Sequence, residues 1–554
     1  MALLRRRSVP VVALVPLLFW LGLAAAPATG AAEPLVAPNL GEARSYPGAD
    51  FVGLPDGWPT EYETQNKLWF HDGAWWALML TSAGALAVHE LEPDHTWRAA
   101  SEPLSTEPMG VGDVLAGPDE VNVMFTRAQG LTFARLGYDS SARNYVFGAP
   151  RIVAVSSEGG RTGSIDVDST GRLWIAFGTR NEVLVTSSAD GGLTWSTPAA
   201  PPVPGTDVAD GEVAGVVAFD DSIGVMWSDQ QRSRFSFAVR SDTAPLDEWT
   251  LEVPLSGEAM ADDHINLKVA SGPGGDTVLA SVKTSQDDLV GVSPEAPLML
   301  VLARSPAGKW VSHVAGTIAD KQNRPSLIVD EANQAVHFLS HAPASGGSVY
   351  IKSASLSELS FPPGRGDVLV EGPGRIADVT TPDHIVTSTS GLVVLASSRD
   401  LKAYHHAELA LLTPDGLPPT PPEDGRAPPA PQDVLSTPSA EGSVALFWSE
   451  SVDAGQWVPA VEGVPAAEYV VLRDGTPVGT VDDLSFVDRP GPGSFEYTVL
   501  ALDEAGNHSV PSEATAIELE TSATGSIASW WYLALGAVGL VGAVAAVRKL
   551  AGGL

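Results

Sequence analysis

The stretch DVDSTGRLWIAF, Asp166 to Phe177, reads as a hairpin of two short strands around a polar turn. Six further segments read the same way: FHDGAWWALML at 70–80, AGPDEVNVMFT at 116–126, AFDDSIGVMWS at 218–228, SGPGGDTVLASV at 271–282, VDEANQAVHFLS at 329–340 and TSTSGLVVLAS at 387–397. From Gly73 to Gly391 six intervals cover 318 residues, or 53 each, the length of a four-stranded propeller blade. A third alternating strand follows at Leu86–Leu91, Leu131–Leu136, Val183–Ser187, Phe235–Arg240, Leu298–Ala303, Val349–Ser353 and Ala403–Leu409. A fourth is expected to start at Trp97, Trp195, Trp249 and Trp310. The spacing predicts an all-β chain whose residues 33–413 form a seven-bladed β-propeller, with six blades as the alternative. The seventh segment supplies three strands, and Ala49 to Leu54 is expected to complete it from the N-terminal side.

Composition agrees with many short strands. The chain has 554 residues, 44% hydrophobic and 18% charged, with 55 Gly and 44 Pro, which is too apolar for a disordered chain and rich in turn formers. Acids outnumber bases 67 to 32, so most of the surface repels phosphate backbones and nucleic acid is excluded as a partner. The absence of Cys excludes disulfides, a thiol nucleophile and Cys-ligated zinc.

The two ends give the expected address. Arg5, Arg6 and Arg7 precede an apolar run from Val9 to Ala26 and small residues through Ala32, the layout of a secretory signal over residues 1–32. Ile527 to Val547 is uncharged, opens on Trp530, Trp531 and Tyr532, and is closed by Arg548 and Lys549, which predicts a transmembrane helix with a cytoplasmic tail, 548–554. A small-residue pair, Gly539 with Ala543, offers a helix–helix contact, though a monomer is expected. Thr524-Gly525 match only the end of a sortase motif, so plain anchoring is expected. Between those ends 27 basic residues face 67 acidic ones, about −40 for the exposed part.

Immediately after the third hairpin comes Ser188-Ala189-Asp190-Gly191-Gly192-Leu193-Thr194-Trp195, which fills every fixed position of S-x-D-x-G-x-T-W. This run resembles the Asp-box of sialidase-like propellers, and Asp94 to Trp97 and Ser305 to Trp310 resemble degenerate copies. The resemblance implies a turn on the outer rim in which Ser188, Asp190, Gly192, Thr194 and Trp195 are structural. Sialidases also need three arginines, the first in an F/Y-R-I-P motif, and a Tyr–Glu nucleophile. Only Arg324-Pro325 approaches that motif, between Asn323 and Ser326, and Tyr350 and Tyr404 fall on third strands, so no catalytic residue is assigned.

The candidate binding residues come from alternation along the first strands. In Asp262-Asp263-His264-Ile265-Asn266-Leu267-Lys268 the polar His264, Asn266 and Lys268 share one side of a strand and the apolar residues the other. Lys67, Asp113, Asp166, Lys283, Arg324 and His384 occupy comparable early positions in other blades. Ligand-binding candidates are therefore Lys67, Asp263, His264, Asn266, Lys268, Lys283 and Arg324, against the alternative of a solvated channel wall. No second His lies near His264, and His405 and His406, adjacent on a strand, point to opposite faces, so no metal is assigned; no cofactor is expected, and calcium has no dedicated motif.

Eight prolines between Pro414 and Pro431 predict a semi-rigid linker. Beyond it, strands at 443–449, 469–473, 478–481, 495–502 and 514–518 predict a sandwich over 432–521, and Tyr469 to Gly475, Phe495 to Val499 and Asp503 to Asn507 resemble a bacterial fibronectin type III domain, with Trp448, Tyr469, Tyr497 and Val499 in its core. The expected function is that of an exported, membrane-tethered bacterial or archaeal surface protein recognising an extracellular glycan or protein without catalysis. The alternatives are a sialidase-type glycoside hydrolase or other channel hydrolase or lyase, and a passive surface scaffold.

Overall fold

The computed structural model describes residues 40–519, apart from 55–57, 62–63, 108–111, 128–129, 158–162, 384–385, 412–427, 429, 440–442, 450, 454–463, 466–467 and 503–508. The expected signal, most of the linker, the transmembrane helix and His384 lie outside the described residues. Among those described, the structure is all-β, and no helix is long and apolar enough to cross a membrane.

The first strand, β1 (Leu40–Asp50), belongs to the last of seven antiparallel sheets. The first sheet runs in order through β2 (Leu68–His71), β3 (Ala74–Leu80), β4 (Leu86–Leu91) and β5 (Trp97–Ala99). The second holds β6 (Gly112–Ala116), β7 (Glu120–Arg127), β8 (Gly130–Asp139), β9 (Asn144–Phe147) and β10 (Val153–Ser156), the last two both on β8. The third is β11 (Ser164–Val167), β12 (Leu173–Gly178) and β13 (Val183–Ser188); the fourth β14 (Ala214–Phe219), β15 (Ser222–Asp229), β16 (Arg234–Ser241) and β17 (Thr250–Ser256). The fifth is β18 (Ile265–Ala270), β19 (Thr277–Lys283), β20 (Pro297–Arg304) and β21 (Trp310–Thr317); the sixth β22 (Asn323–Asp330), β23 (Ala335–Ala342), β24 (Ser348–Ser355) and β25 (Asp367–Val370). The seventh is ordered β26 (Ile376–Thr380), β27 (Leu392–Ser398), β28 (Ala403–Leu411) and then β1.

The second strand of each sheet explains the apolar runs. β3, β12, β23 and β27 are buried at every residue, so AWWALML and LVVLASS do not alternate: both faces of the strand are covered. Core layers lie between consecutive sheets, as where Phe235 and Phe237 of the fourth pack with Ile265 and Val282 of the fifth. Trp69, Trp75, Trp76 and Trp227 are fully buried, each worth roughly 1.5–3 kcal/mol or more by transfer.

First strands touch in turn. β6 meets β11, β11 meets β14, β14 meets β18, β18 meets β22 and β22 meets β26. A parallel bridge joins Leu68 of β2 to Pro382, just beyond β26.

Three expectations need correction. The third sheet has no fourth strand at Trp195; Pro198, Pro201, Pro202 and Pro204 strip donors from that segment, leaving two isolated bridges, Val185 with Ala199 and Glu182 with Asp207. The seventh hairpin is not 387–397: its first strand ends at Thr380, ahead of Pro382, and a turn at 387–391 precedes β27. The completing strand is Leu40–Asp50 rather than Ala49–Leu54, and it sits at the sheet edge, where the missing N–H of Pro47 is tolerated.

The C-terminal part contains β29 (Leu435–Ser439), β30 (Ser443–Phe447), β31 (Val452–Asp453), β32 (Val464–Pro465), β33 (Glu468–Arg473), β34 (Thr476–Val481), β35 (Ser485–Asp488), β36 (Gly493–Leu502) and β37 (Thr515–Leu519). They form sheets ordered β29-β30-β35 and β34-β33-β36-β37 and a two-stranded pair, β31-β32. Val444, Leu446, Trp448, Tyr469, Val471, Tyr497 and Val499 share one core, as expected of the four named from sequence.

Candidate functional site

The first strands carry polar side chains, and most are spent on the next sheet. Asp113 accepts the amide of Asn66 at 2.6 Å and that of Ile165 at 2.8 Å, which ties the first, second and third sheets together. Ser164 Oγ accepts from Val216 N at 2.8 Å, Asp166 Oδ2 from Ala218 N at 2.6 Å, and Asn266 Oδ1 from Leu327 N at 2.9 Å. A backbone amide with no ladder partner, buried where strands of different sheets meet, needs an acceptor, and these side chains provide it.

The candidates separate into three groups. In the first, Lys268 donates to Asn66 Oδ1 and lies 3.5 Å from Asp383 Oδ1; Asn66 Nδ2 donates to Asp383 at 3.2 Å, and Asn266 Nδ2 reaches Asn66 at 3.4 Å. Lys67 Nζ donates to Gln65 Oε1 at 2.8 Å and to the Gly112 carbonyl at 2.7 Å. Lys67, Lys268 and Asn266 are all at most 3% exposed. Burial holds the Lys268 ammonium below its ordinary value against the pull of Asp383, Asp113 and Asp166. Burial and the Asp383 charge push Asp113 up to about 7, and raise Asp166 well above the carboxylate range although part of that residue remains exposed. The Lys268 ammonium and the Asn66 and Asn266 amides pair within the group, while Asp383 keeps 35% of its side-chain surface exposed.

A second group surrounds the start of β18. His264 Nδ1 lies 2.7 Å from Asp262 Oδ1 and 3.0 Å from Asp263 Oδ1, and Lys283 donates to Asp262 Oδ2 at 2.5 Å and to Asp287 at 3.4 Å. Burial of Asp262 is overcome by side-chain hydrogen bonds with His264 and Asp263 and by the charges of His264 and Lys283, so its carboxyl stays well below the usual range. Asp262, Asp263 and His264 offer ligand atoms within 4.8 Å of one another, but the Lys283 ammonium already supplies the positive charge that such a set would recruit.

Arg324 stands in the third group. It donates to Glu61 Oε1 at 2.8 Å and to the Glu61 carbonyl at 2.5 Å, and its Nε lies 3.0 Å from Asp378 Oδ1. Arg399 grips the same carboxylate at 2.7 and 3.0 Å, while His341 Nδ1 accepts the Asp378 amide at 3.2 Å and Nε2 faces the Ala344 carbonyl at 3.3 Å. Burial would raise Asp378, yet Arg324, His341 and Arg399 hold it low; burial takes His341 down to about 4. Arg324 at φ 54° and Asp378 at φ 60° both sit in the left-handed region, which a residue with a side chain visits at a cost of about 1–3 kcal/mol. The side chains of Arg324 and Arg399 keep 17% and 20% of their surface exposed. Gln65, Asn66, Glu61, Asp378, Asp383 and Arg399 complete these groups and were not singled out from sequence.

Residues 188–195 form a hydrogen-bonded turn. Ser188 Oγ donates to Asp190 Oδ1 at 2.7 Å and accepts from Gly192 N at 2.8 Å, and Asp190 accepts Thr194 N at 2.9 Å and Thr194 Oγ1 at 2.6 Å. Trp195 Nε1 donates to the Gly192 carbonyl at 3.2 Å, and its ring meets Phe133 of the second sheet edge-on at 5.3 Å.

No family model matches the chain. It is similar to exoglucanase B of Cellulomonas fimi at 34% identity over 111 residues, 20% of this chain, and spans only 10% of that relative's length. Among solved structures, the PL25 ulvan lyase, a polysaccharide lyase, shares 11% identity at a TM-score of 0.44 over 66% of this chain and 95% of the lyase. The extracellular domain of a one-component system from B. thetaiotaomicron shares 10% at a TM-score of 0.43, over 87% of this chain and 58% of that one. AofleA from Arthrobotrys oligospora shares 13% at 0.38, over 58% and 88%. At these scores the structural likenesses carry no functional argument.

Proposed function

We propose that the seven sheets are the blades of a sialidase-like propeller closed by β1, exported and tethered through residues 527–547, with the proline-rich linker and a fibronectin type III-like module as its stalk. In this reading the protein recognises an extracellular ligand at the propeller face where the first strands begin, and performs no chemistry on it. The observation that carries the reading is the group around Asp378. Two guanidinium groups, each partly open to solvent, are held on one buried carboxylate by two residues in the left-handed region. Strained backbone outside glycine concentrates at ligand sites, because only over-determined surroundings maintain it. Glu61 covers the outer edge of Arg324 with a carboxylate, so the ligand of matching chemistry is a carboxylated or sulfated glycan that takes its place.

Glycan-array binding by a soluble fragment from Glu33 to Leu519 tests this. Binding to acidic glycans is expected, with loss in Arg324→Gln and retention in Lys268→Met, whose ammonium is covered. No acidic-glycan binding, or unchanged binding in a folded Arg324→Gln variant, would overturn the reading.

A further inference from the structure

The closing strand β1 meets β28 next to two adjacent histidines: Pro47 lies opposite His405 and Tyr46 opposite His406. His406 Nδ1 receives the indole N–H of Trp97 at 3.3 Å, and its Nε2 lies 3.1 Å from Glu408 Oε1. An indole nitrogen only donates, so His406 Nδ1 must accept and the ring is held neutral, with its proton on Nε2. A second proton on this ring would set two N–H groups against each other. Tyr46 covers the same region, stacking on His95 at 3.9 Å and facing His406 at 5.4 Å.

On the other face His405 is 2% exposed, and neither ring nitrogen has a hydrogen-bond partner among the described residues. The ring packs on Gly372, where a β-carbon would fall 2.8 Å from it. Few charges face the pair. Glu408 on β28 is already shared by His406 and by His95, whose Nδ1 lies 2.8 Å from the same oxygen; β1 contributes Arg44 beside Tyr46. β27 has no ionisable residue, and Asp50 on β1, Asp367 on β25 and Glu371 beside Gly372 are all exposed. A charged His405 would therefore have neither acceptor nor counter-ion.

We propose that the β1–β28 closure is a proton-sensitive clasp: β1 stays docked while His405 and His406 are uncharged, and their protonation loosens it. Burial keeps both rings below the ordinary histidine value, and His406 adds to that for His405. His405, whose ring nitrogens have no partner among the described residues, carries most of the response and His406 the remainder. The clasp is independent of the ligand reading above.

Hydrogen exchange of the full chain, at about pH 7.5 and about pH 5 on either side of the ordinary histidine pKa and corrected for intrinsic rates, tests it. Peptides covering 40–50 and 403–411 should open about tenfold more readily at the lower pH, as for one pKa unit of coupling, while 265–283 does not change. His405→Leu should remove most of that rise. His406→Gln, which can still accept from Trp97 and donate to Glu408, provides the second variant should His405→Leu fail to fold, and should remove part of it. An unchanged acid response in the variants, no response in the parent chain, or an equal rise across 265–283 overturns the proposal.

Discussion

Gly192 sits at φ 87°, and a β-carbon there would lie 2.1 Å from Cε1 of Phe133 in the neighbouring sheet. Both the backbone region and the space therefore demand glycine. Gly192→Ala is expected to cost about 1–3 kcal/mol, read as a lower Tm, because the ring and its sheet must move to admit the methyl group. Asp190 behaves differently: it is exposed, and hydrogen bonds from Thr194 and Ser188 take its carboxyl down to about 2. Its replacement by Ala should lower Tm less than Gly192→Ala does. The reverse order would mean that the turn hydrogen bonds, not the contact with Phe133, hold the box in place.

At the scale of elements, the side chains that join one first strand to the next are the test. Asn266→Leu removes the acceptor of the Leu327 amide, a donor fully buried beside β18, and should cost about 1–3 kcal/mol without altering the strands of the fifth sheet; unchanged stability in chemical denaturation would show that the connector is dispensable. The same connectors explain what could be read in the sequence. Second and third strands were legible because their apolar residues are contiguous or alternate, and Leu86–Leu91 matches β4 residue for residue. First strands were harder, since Asp113, Ser164, Asp166 and Asn266 interrupt the apolar pattern to serve the next sheet. The alternation that placed Asn266 and Lys268 opposite Ile265 and Leu267 holds, yet it could not say whether the polar side met ligand or protein. The partners were out of reach: Asn66 lies 202 residues from Lys268 and Glu61 263 from Arg324, and no local window displays such pairs.

Across the whole molecule, two sets of buried groups titrate in opposite senses. His89, His341, His405 and His406 are held below the ordinary histidine value by burial, His341 at about 4. The unfolded chain binds their protons first, so the stability they contribute is present above about pH 6.5 and is lost as pH falls toward the folded values. Asp113, at about 7, and Asp166 are raised; there the folded chain binds protons first, so that contribution is present below the unfolded value near 3.9 and is lost as pH rises through about 7. Asp262 and Asp378, both lowered, add a further loss only as pH falls below that same unfolded value. The stability of the chain should therefore peak between about pH 6 and about pH 7 and decline on both sides. Thermal melts across this range should show the alkaline limb flattened in Asp113→Asn, which keeps one acceptor but cannot ionise, and the acid limb flattened in His341→Gln. A Tm that rises steadily through pH 8 in the parent chain would mean that the amides of Asn66 and Ile165 hold Asp113 ionised, and that the junction of the first three sheets carries its negative charge permanently.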